Sequence, residues 1–216
     1  MPSSKALVIG HRGASALRPE HTLAAYAKAI EDGADLIEPD LVSTRDGVLI
    51  ARHENEISGT TDVAQRPEFI SRKVTKIIDG EPVTGWFTED FSLTELKTLR
   101  ARERLPELRS TAFDGQFEIA TLDEIIALAA EASAEHERVI GLAPEIKHPS
   151  HFAALGLAME NKLLAALRSH PHTRAAPVII QSFEIANLQE LRGRIGSDSN
   201  ISLLQLYGHA DDHPYD

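Results

Sequence analysis

Ala6-Leu7-Val8-Ile9-Gly10-His11-Arg12-Gly13 is a short apolar run that ends abruptly in two basic residues flanked by glycine. Four consecutive apolar residues followed by a turn signal read as a strand buried on both faces, as in parallel sheets. The same grammar continues downstream. Thr22 caps a predicted helix over 23–31, with Leu23, Tyr26, Ala27 and Ile30 on one face and Gly33 as its stop. A second strand is expected over 34–42 and a third over 48–53, separated by the turn Thr44-Arg45-Asp46-Gly47.

Over 54–118 the alternation breaks down, with glycine, proline and charge scattered around Phe69, Trp86, Phe87, Phe91, Phe113 and Phe117. One short helix is expected there, over 94–100. The stretch is too long for an ordinary connection, so it reads as an insertion after the third strand. Alternation then resumes with a helix over 122–131, a strand over 139–146, a helix over 152–169, a strand over 178–181, a helix over 184–192 and a sixth strand over 201–205. Repeated strand-helix units predict an α/β fold with a parallel sheet closed or wound by helices. With 216 residues, 42% of them hydrophobic, the chain can bury one large core, so a single domain over 1–216 is expected.

Composition narrows the function. Thirty-three acidic residues against 22 basic ones give a formal charge of -11, which repels nucleic acid and anionic membrane surfaces. Without cysteine there is no disulfide, no thiolate zinc site and no cysteine nucleophile. No apolar run approaches the roughly 20 residues that a membrane helix needs, and Met1-Pro2-Ser3-Ser4-Lys5 lacks the features of a secretory signal. No nucleic-acid partner and no stable membrane insertion are expected.

Chemistry gathers at the carboxyl ends of parallel strands, and here those ends are lopsidedly polar: His11-Arg12, Glu38-Pro39-Asp40, His53-Glu54, Glu145-Ile146-Lys147 and Gln181-Ser182. Glu38 and Asp40, two apart on a strand, leave the same face. With Glu145 from another strand they form an all-oxygen set suited to a hard cation such as Mg2+ or Ca2+ rather than zinc. His11 and His53 can take and give a proton near neutral pH, the two actions that phosphodiester hydrolysis requires. Arg12 offers a planar fork and Lys147 a point charge for a phosphate, although either can instead pair with nearby acids, Glu20 among them for Arg12. The remaining histidines, His136, His148, His151, His170, His172, His209 and His213, read as surface residues in loops or helix ends.

The combination of His11-Arg12-Gly13-Ala14, Pro19-Glu20-His21-Thr22, Glu38-x-Asp40, His53 and Pro144-Glu145-Ile146-Lys147 resembles the glycerophosphodiester phosphodiesterases. It is most similar to their longer, periplasmic or secreted branch, which has an insertion after the third-strand histidine and a segment like Thr61-Asp62-Val63-Ala64. The resemblance implies a TIM (β/α)8-type barrel and one bound Ca2+ or Mg2+. It also implies hydrolysis of a small-molecule glycerophosphodiester to glycerol 3-phosphate and an alcohol. On that likeness His11 and His53 are the catalytic pair, Glu38, Asp40 and Glu145 the metal ligands, and Arg12 and Lys147 the phosphate contacts. Gln181 lines the pocket. An exported location rests on the likeness alone. A barrel of eight strands exceeds the six strands read here, so the last strands are expected to be missing from this chain. The same site is also compatible with teichoic-acid-like polymers or lysophospholipid and sphingolipid headgroups, or with a non-catalytic metal-binding barrel module.

Overall fold

The computed structural model describes residues 6–208 and Pro214. His209, His213 and the segment 1–5 lie outside the described residues. Strand β1 (Ile9–His11) starts three residues later than the apolar run and carries it into the turn. Helix α1 (Leu23–Glu31) begins at the predicted cap, where the Thr22 hydroxyl accepts the Ala25 N–H at 3.1 Å; such a cap contributes about 1 kcal/mol. Its buried stripe is Ala25, Tyr26, Ala29 and Ile30, rotated from the expected face, and Leu23 and Ala27 are exposed. The reason is close packing. Gly10 and Gly13 lie against Ala29 and Ala25, and a Cβ on Gly13 would come within 2.5 Å of the Ala25 carbonyl carbon.

The predicted second strand is broken at Pro39 into β2 (Leu36–Glu38) and β3 (Asp40–Ser43). The strand over 139–146 is likewise broken before Glu145, into β7 (Gly141–Leu142) and β8 (Glu145–Ile146). A proline donates no backbone hydrogen bond, so it interrupts a ladder. The two broken strands nevertheless stay side by side: Ala143 N–H donates to Ile37 O at 2.9 Å, Glu145 N–H to Pro39 O at 3.0 Å and Lys147 N–H to Leu41 O at 3.1 Å.

Parallel pairing runs from β1 to β2, from β2 to β7, from β3 to β8, and from both β7 and β8 to β9 (Val178–Ser182), which pairs with β10 (Ile201–Gln205). The predicted third strand departs from this pattern. β4 (Leu49–Ala51) turns back antiparallel onto β3, because the tight turn at Gly47 leaves no room for a crossover. Helices α1, α3 (Leu122–Glu135), α5 (Glu160–Ser169) and α6 (Ile185–Ile195) cover the sheet, with Ile37, Ile126, Leu142, Leu163, Ile180 and Leu191 in the shared core. The helix expected over 152–169 is interrupted at Gly156, giving α4 (Pro149–Ala154) and α5. This is the curled parallel arc of a TIM (β/α)8-type barrel. Among the described residues the outer edges of β1 and β10 pair with no strand, and Leu7, Val8, Leu204 and Tyr207 are exposed along them.

The segment 54–118 contains more order than its sequence suggested. A hairpin of β5 (Val74–Ile78) and β6 (Glu81–Gly85) turns at Asp79-Gly80, both at positive φ, and the short helix α2 (Leu93–Leu96) starts at a Ser92–Glu95 capping box. Phe69 and Phe91 meet edge to face at 5.1 Å, and Trp86 donates its indole N–H to Phe69 O at 2.6 Å.

Candidate active site

Strand register explains why residues far apart in sequence meet. Asp40 is opposite Glu145, Glu145 is opposite Gln181, and His11 is opposite Glu38. Adjacent strand ends therefore present one polar row at the carboxyl end of the sheet. Ligand-capable oxygens of Glu38, Asp40 and Glu145 all lie within 4.8 Å of one another, and all three residues are buried. His11, Arg12, Glu38, His53, Glu145 and Gln181 line one pocket of about 420 Å³, together with Ile9, Phe183 and Leu206. Lys147 lines a smaller neighbouring pocket that shares Glu145 and Phe183. Every residue singled out from the sequence is thus at this end of the fold.

The electrostatics of the acidic trio are those of a site short of positive charge. Burial and the neighbouring Asp40 push Glu38 up to about 10. Burial, only partly offset by Lys147, takes Glu145 to about 8. Burial also opposes the charge on Asp40, yet His21 beside it holds its carboxyl well below the usual range. Among the described residues Asp40 Oδ1 is buried with no donor besides the neighbouring carboxyls. Three buried carboxylates that share so little positive charge are a donor set that can hold a divalent metal ion.

Around the trio the bases are anchored. Arg12 has φ +61, and its backbone N–H donates to Glu38 Oε2 at 2.8 Å. Its guanidinium pairs with Glu20 at 3.4 Å and approaches Asp40 at 3.4 Å. Arg104, from the 54–118 segment, also donates to Glu20, at 3.0 Å. Lys147 Nζ lies 3.2 Å from Glu145. His11 is held below the ordinary histidine value, chiefly by burial and then by Arg12. His53 Nδ1 lies 2.8 Å from Glu54 Oε1, an arrangement that fixes the ring. Gln181 donates to Ala143 O at 2.7 Å, which ties it to the strand next door.

Several residues of the site were not evident from the sequence. His148, read as a surface residue, is largely buried and bridges Glu54 at 2.9 Å and Asp79 at 2.7 Å. His151 pairs with the buried Glu89 at 3.0 Å. His21 is fully buried against Asp40, and Tyr26 behind it. Arg52 is buried, its guanidinium makes no hydrogen bond among the described residues, and burial pushes its pKa down to about 10 while Glu20 favours its charge. His21 had one signal, its place in Pro19-Glu20-His21-Thr22; Arg52 was hidden as a strand residue between Ala51 and His53. Three bases of the 54–118 segment are occupied by acids of the same segment: Arg66 by Asp62, Arg72 by Glu95, and Lys76 by Glu89 and Asp90.

Residues 11–215 match the glycerophosphoryl diester phosphodiesterase family. The chain belongs to that family. It is 40% identical over 201 residues to a glycerophosphodiester phosphodiesterase of Arabidopsis thaliana, an alignment covering 87% of this chain and 53% of the plant protein. The fold is similar to that of a glycerophosphoryl diester phosphodiesterase candidate from Silicibacter pomeroyi, with TM-score 0.71, 24% identity, and 99% and 68% of the two chains covered. It is also similar to an Oleispira antarctica phosphodiesterase solved with the product sn-glycerol-3-phosphate, with TM-score 0.65, 24% identity, and 92% and 64% covered. The chain thus spans about half the length of its plant phosphodiesterase relative.

Proposed function

We propose that this chain hydrolyses glycerophosphodiesters to glycerol 3-phosphate and an alcohol, with one Ca2+ or Mg2+ held by Glu38, Asp40 and Glu145. The observation that carries this reading is the convergence of three buried carboxylates, two of which line the pocket that also receives His11 and His53. Membership of the phosphodiesterase family and the activity named for the Arabidopsis relative support it. A hard cation supplies positive charge that lowers the pKa of an attacking hydroxyl or water and offsets charge on the phosphoryl oxygens.

The protein's own groups do the rest. Arg12 and Lys147 hold the phosphate, turning from Glu20 and Glu145 toward its oxygens. One imidazole of the pair His11 and His53 accepts the proton of the attacking oxygen, and the other delivers a proton to the departing alkoxide. Burial favours His11 in its neutral form, able to accept; Glu54 orients His53 through Nδ1 and leaves Nε2 for the substrate. We read the chain as one domain over 1–216 in which the 54–118 segment walls one side of the site, tied there by Arg104 to Glu20 and by Asp79 to His148.

The test is release of glycerol 3-phosphate from glycerophosphocholine with and without a chelator, alongside His11→Ala and His53→Ala. Loss of either histidine is expected to reduce turnover by about 10²- to 10⁴-fold. Full activity in either variant removes that histidine from the mechanism, and turnover indifferent to the chelator removes the metal.

A further inference from the structure

Among the three acids Asp40 is restrained from outside the pocket. Its Oδ2 lies 2.9 Å from His21 Nε2, and the other ring nitrogen of His21, Nδ1, lies 2.8 Å from the Tyr26 hydroxyl. His21 and Tyr26 are fully buried, so water cannot substitute for these bonds. An ionised carboxylate only accepts, which places the imidazole proton on Nε2. With the ring neutral, Nδ1 then accepts, and the Tyr26 hydroxyl is the donor. The chain of bonds runs one way, from Tyr26 through His21 to Asp40. Arg12 Nε backs the same carboxylate oxygen at 3.4 Å, so that among the described residues Oδ1 has no donor besides the neighbouring carboxyls.

We propose that His21 and Tyr26 are positioning residues that hold Asp40 in the orientation of a ligand and thereby set the divalent-cation affinity of the site. The inference rests on reading Glu38, Asp40 and Glu145 as the cation site. Hydrogen bonds behind a ligand fix its orientation and basicity, and their loss typically weakens metal binding by about 10- to 100-fold. Tyr26 acts at one remove, by holding the far side of the imidazole ring. Without its hydroxyl, Nδ1 loses that partner and the ring can tilt, which lengthens and weakens the Nε2–H bond to Asp40. The backbone is committed to the arrangement as well. His21 sits at φ +58 and donates its N–H to Arg12 O at 3.1 Å.

Isothermal titration of the whole chain with Mg2+ alone and with Ca2+ alone tests this in wild type, Tyr26→Phe, His21→Ala and His21→Gln. Nitrogen-15 shifts of the His21 ring read its tautomer. Tyr26→Phe is expected to weaken cation binding by about 10-fold and to shift the Nδ1 signal of His21 as its bond is lost, with the proton still on Nε2. His21→Ala weakens it further, and His21→Gln, whose amide places a donor near the position of Nε2, restores part of the loss. Unchanged affinity in Tyr26→Phe and His21→Ala, with or without a drop in melting temperature, overturns the proposal and assigns both residues to packing. If His21→Ala does not fold, Tyr26→Phe decides alone. Failure of the wild type to bind either cation overturns the underlying metal-site reading instead.

Discussion

Raising the pH should loosen the 54–118 segment from the rim through a single imidazole. His148, immediately before α4, joins Glu54 on one side to Asp79, at the tip of the β5–β6 hairpin, on the other. Burial opposes its charge, but hydrogen bonds to Asp79 and Glu54 outweigh that cost and lift it from 6.5 to about 9. A folded value above the unfolded one means that the stabilisation is complete below 6.5 and disappears as pH rises through about 9. That difference corresponds to about 3 kcal/mol. It is a ceiling, since the Glu54 and Asp79 side chains are 44% and 42% exposed and water screens them. In a domain of this size it amounts to about 6–12 °C in melting temperature. Thermal unfolding of wild type and His148→Gln, followed by circular dichroism below 6.5 and above 9, reads it directly. Glu38 and Glu145 also lose protons as pH rises, but they do so in both proteins and cancel in the difference. The gap between the two melting curves should close above 9; a gap that stays constant across the window refutes the latch.

Further outcomes follow from the same geometry. Glu38→Gln replaces a carboxyl whose charged form burial and Asp40 disfavour, so in chelator its melting temperature should equal or exceed that of wild type. Added Ca2+ or Mg2+ should then give no thermal shift. Gly13→Ala forces a Cβ to within 2.5 Å of the Ala25 carbonyl carbon at φ +80; a loss of at least about 1–3 kcal/mol is expected in urea unfolding. Thr121→Ala breaks the capping box of α3, where Thr121 and Glu124 bond reciprocally. It should cost about 1 kcal/mol, visible as a lower denaturant midpoint.

The elements best announced by the sequence were those with local punctuation. α1 has Thr22 at one end and Gly33 just beyond the other, and β10 matches the apolar stretch over 201–205. The hairpin of β5 and β6 was obscured because Lys76, Glu81 and Pro82 interrupt the alternation of apolar residues, although Asp79-Gly80 was a turn signal in plain view. Pro39 and Pro144 lie inside the strands expected over 34–42 and 139–146 and proved to break them, while ladder bonds formed on either side of each proline hold the strand in line. For the site, the residues at strand ends were readable from position alone. The bonds that hold them were not: His21 to Asp40, His148 to Asp79 and Arg104 to Glu20 join residues many positions apart, through partners chosen by tertiary packing.

Arg12, His21, Asp79 and His148 all adopt left-handed backbone conformations, with φ between 47° and 61°, and all stand at or beside the proposed site. Each such turn costs about 1–2 kcal/mol for a residue with a Cβ, and more for a β-branched one. An engineer who randomises these four positions to change substrate preference would therefore be selecting first for a permitted chain path and only afterwards for chemistry. Asparagine and glycine, which tolerate that path, are the replacements whose effects there can be read as loss of the side chain alone.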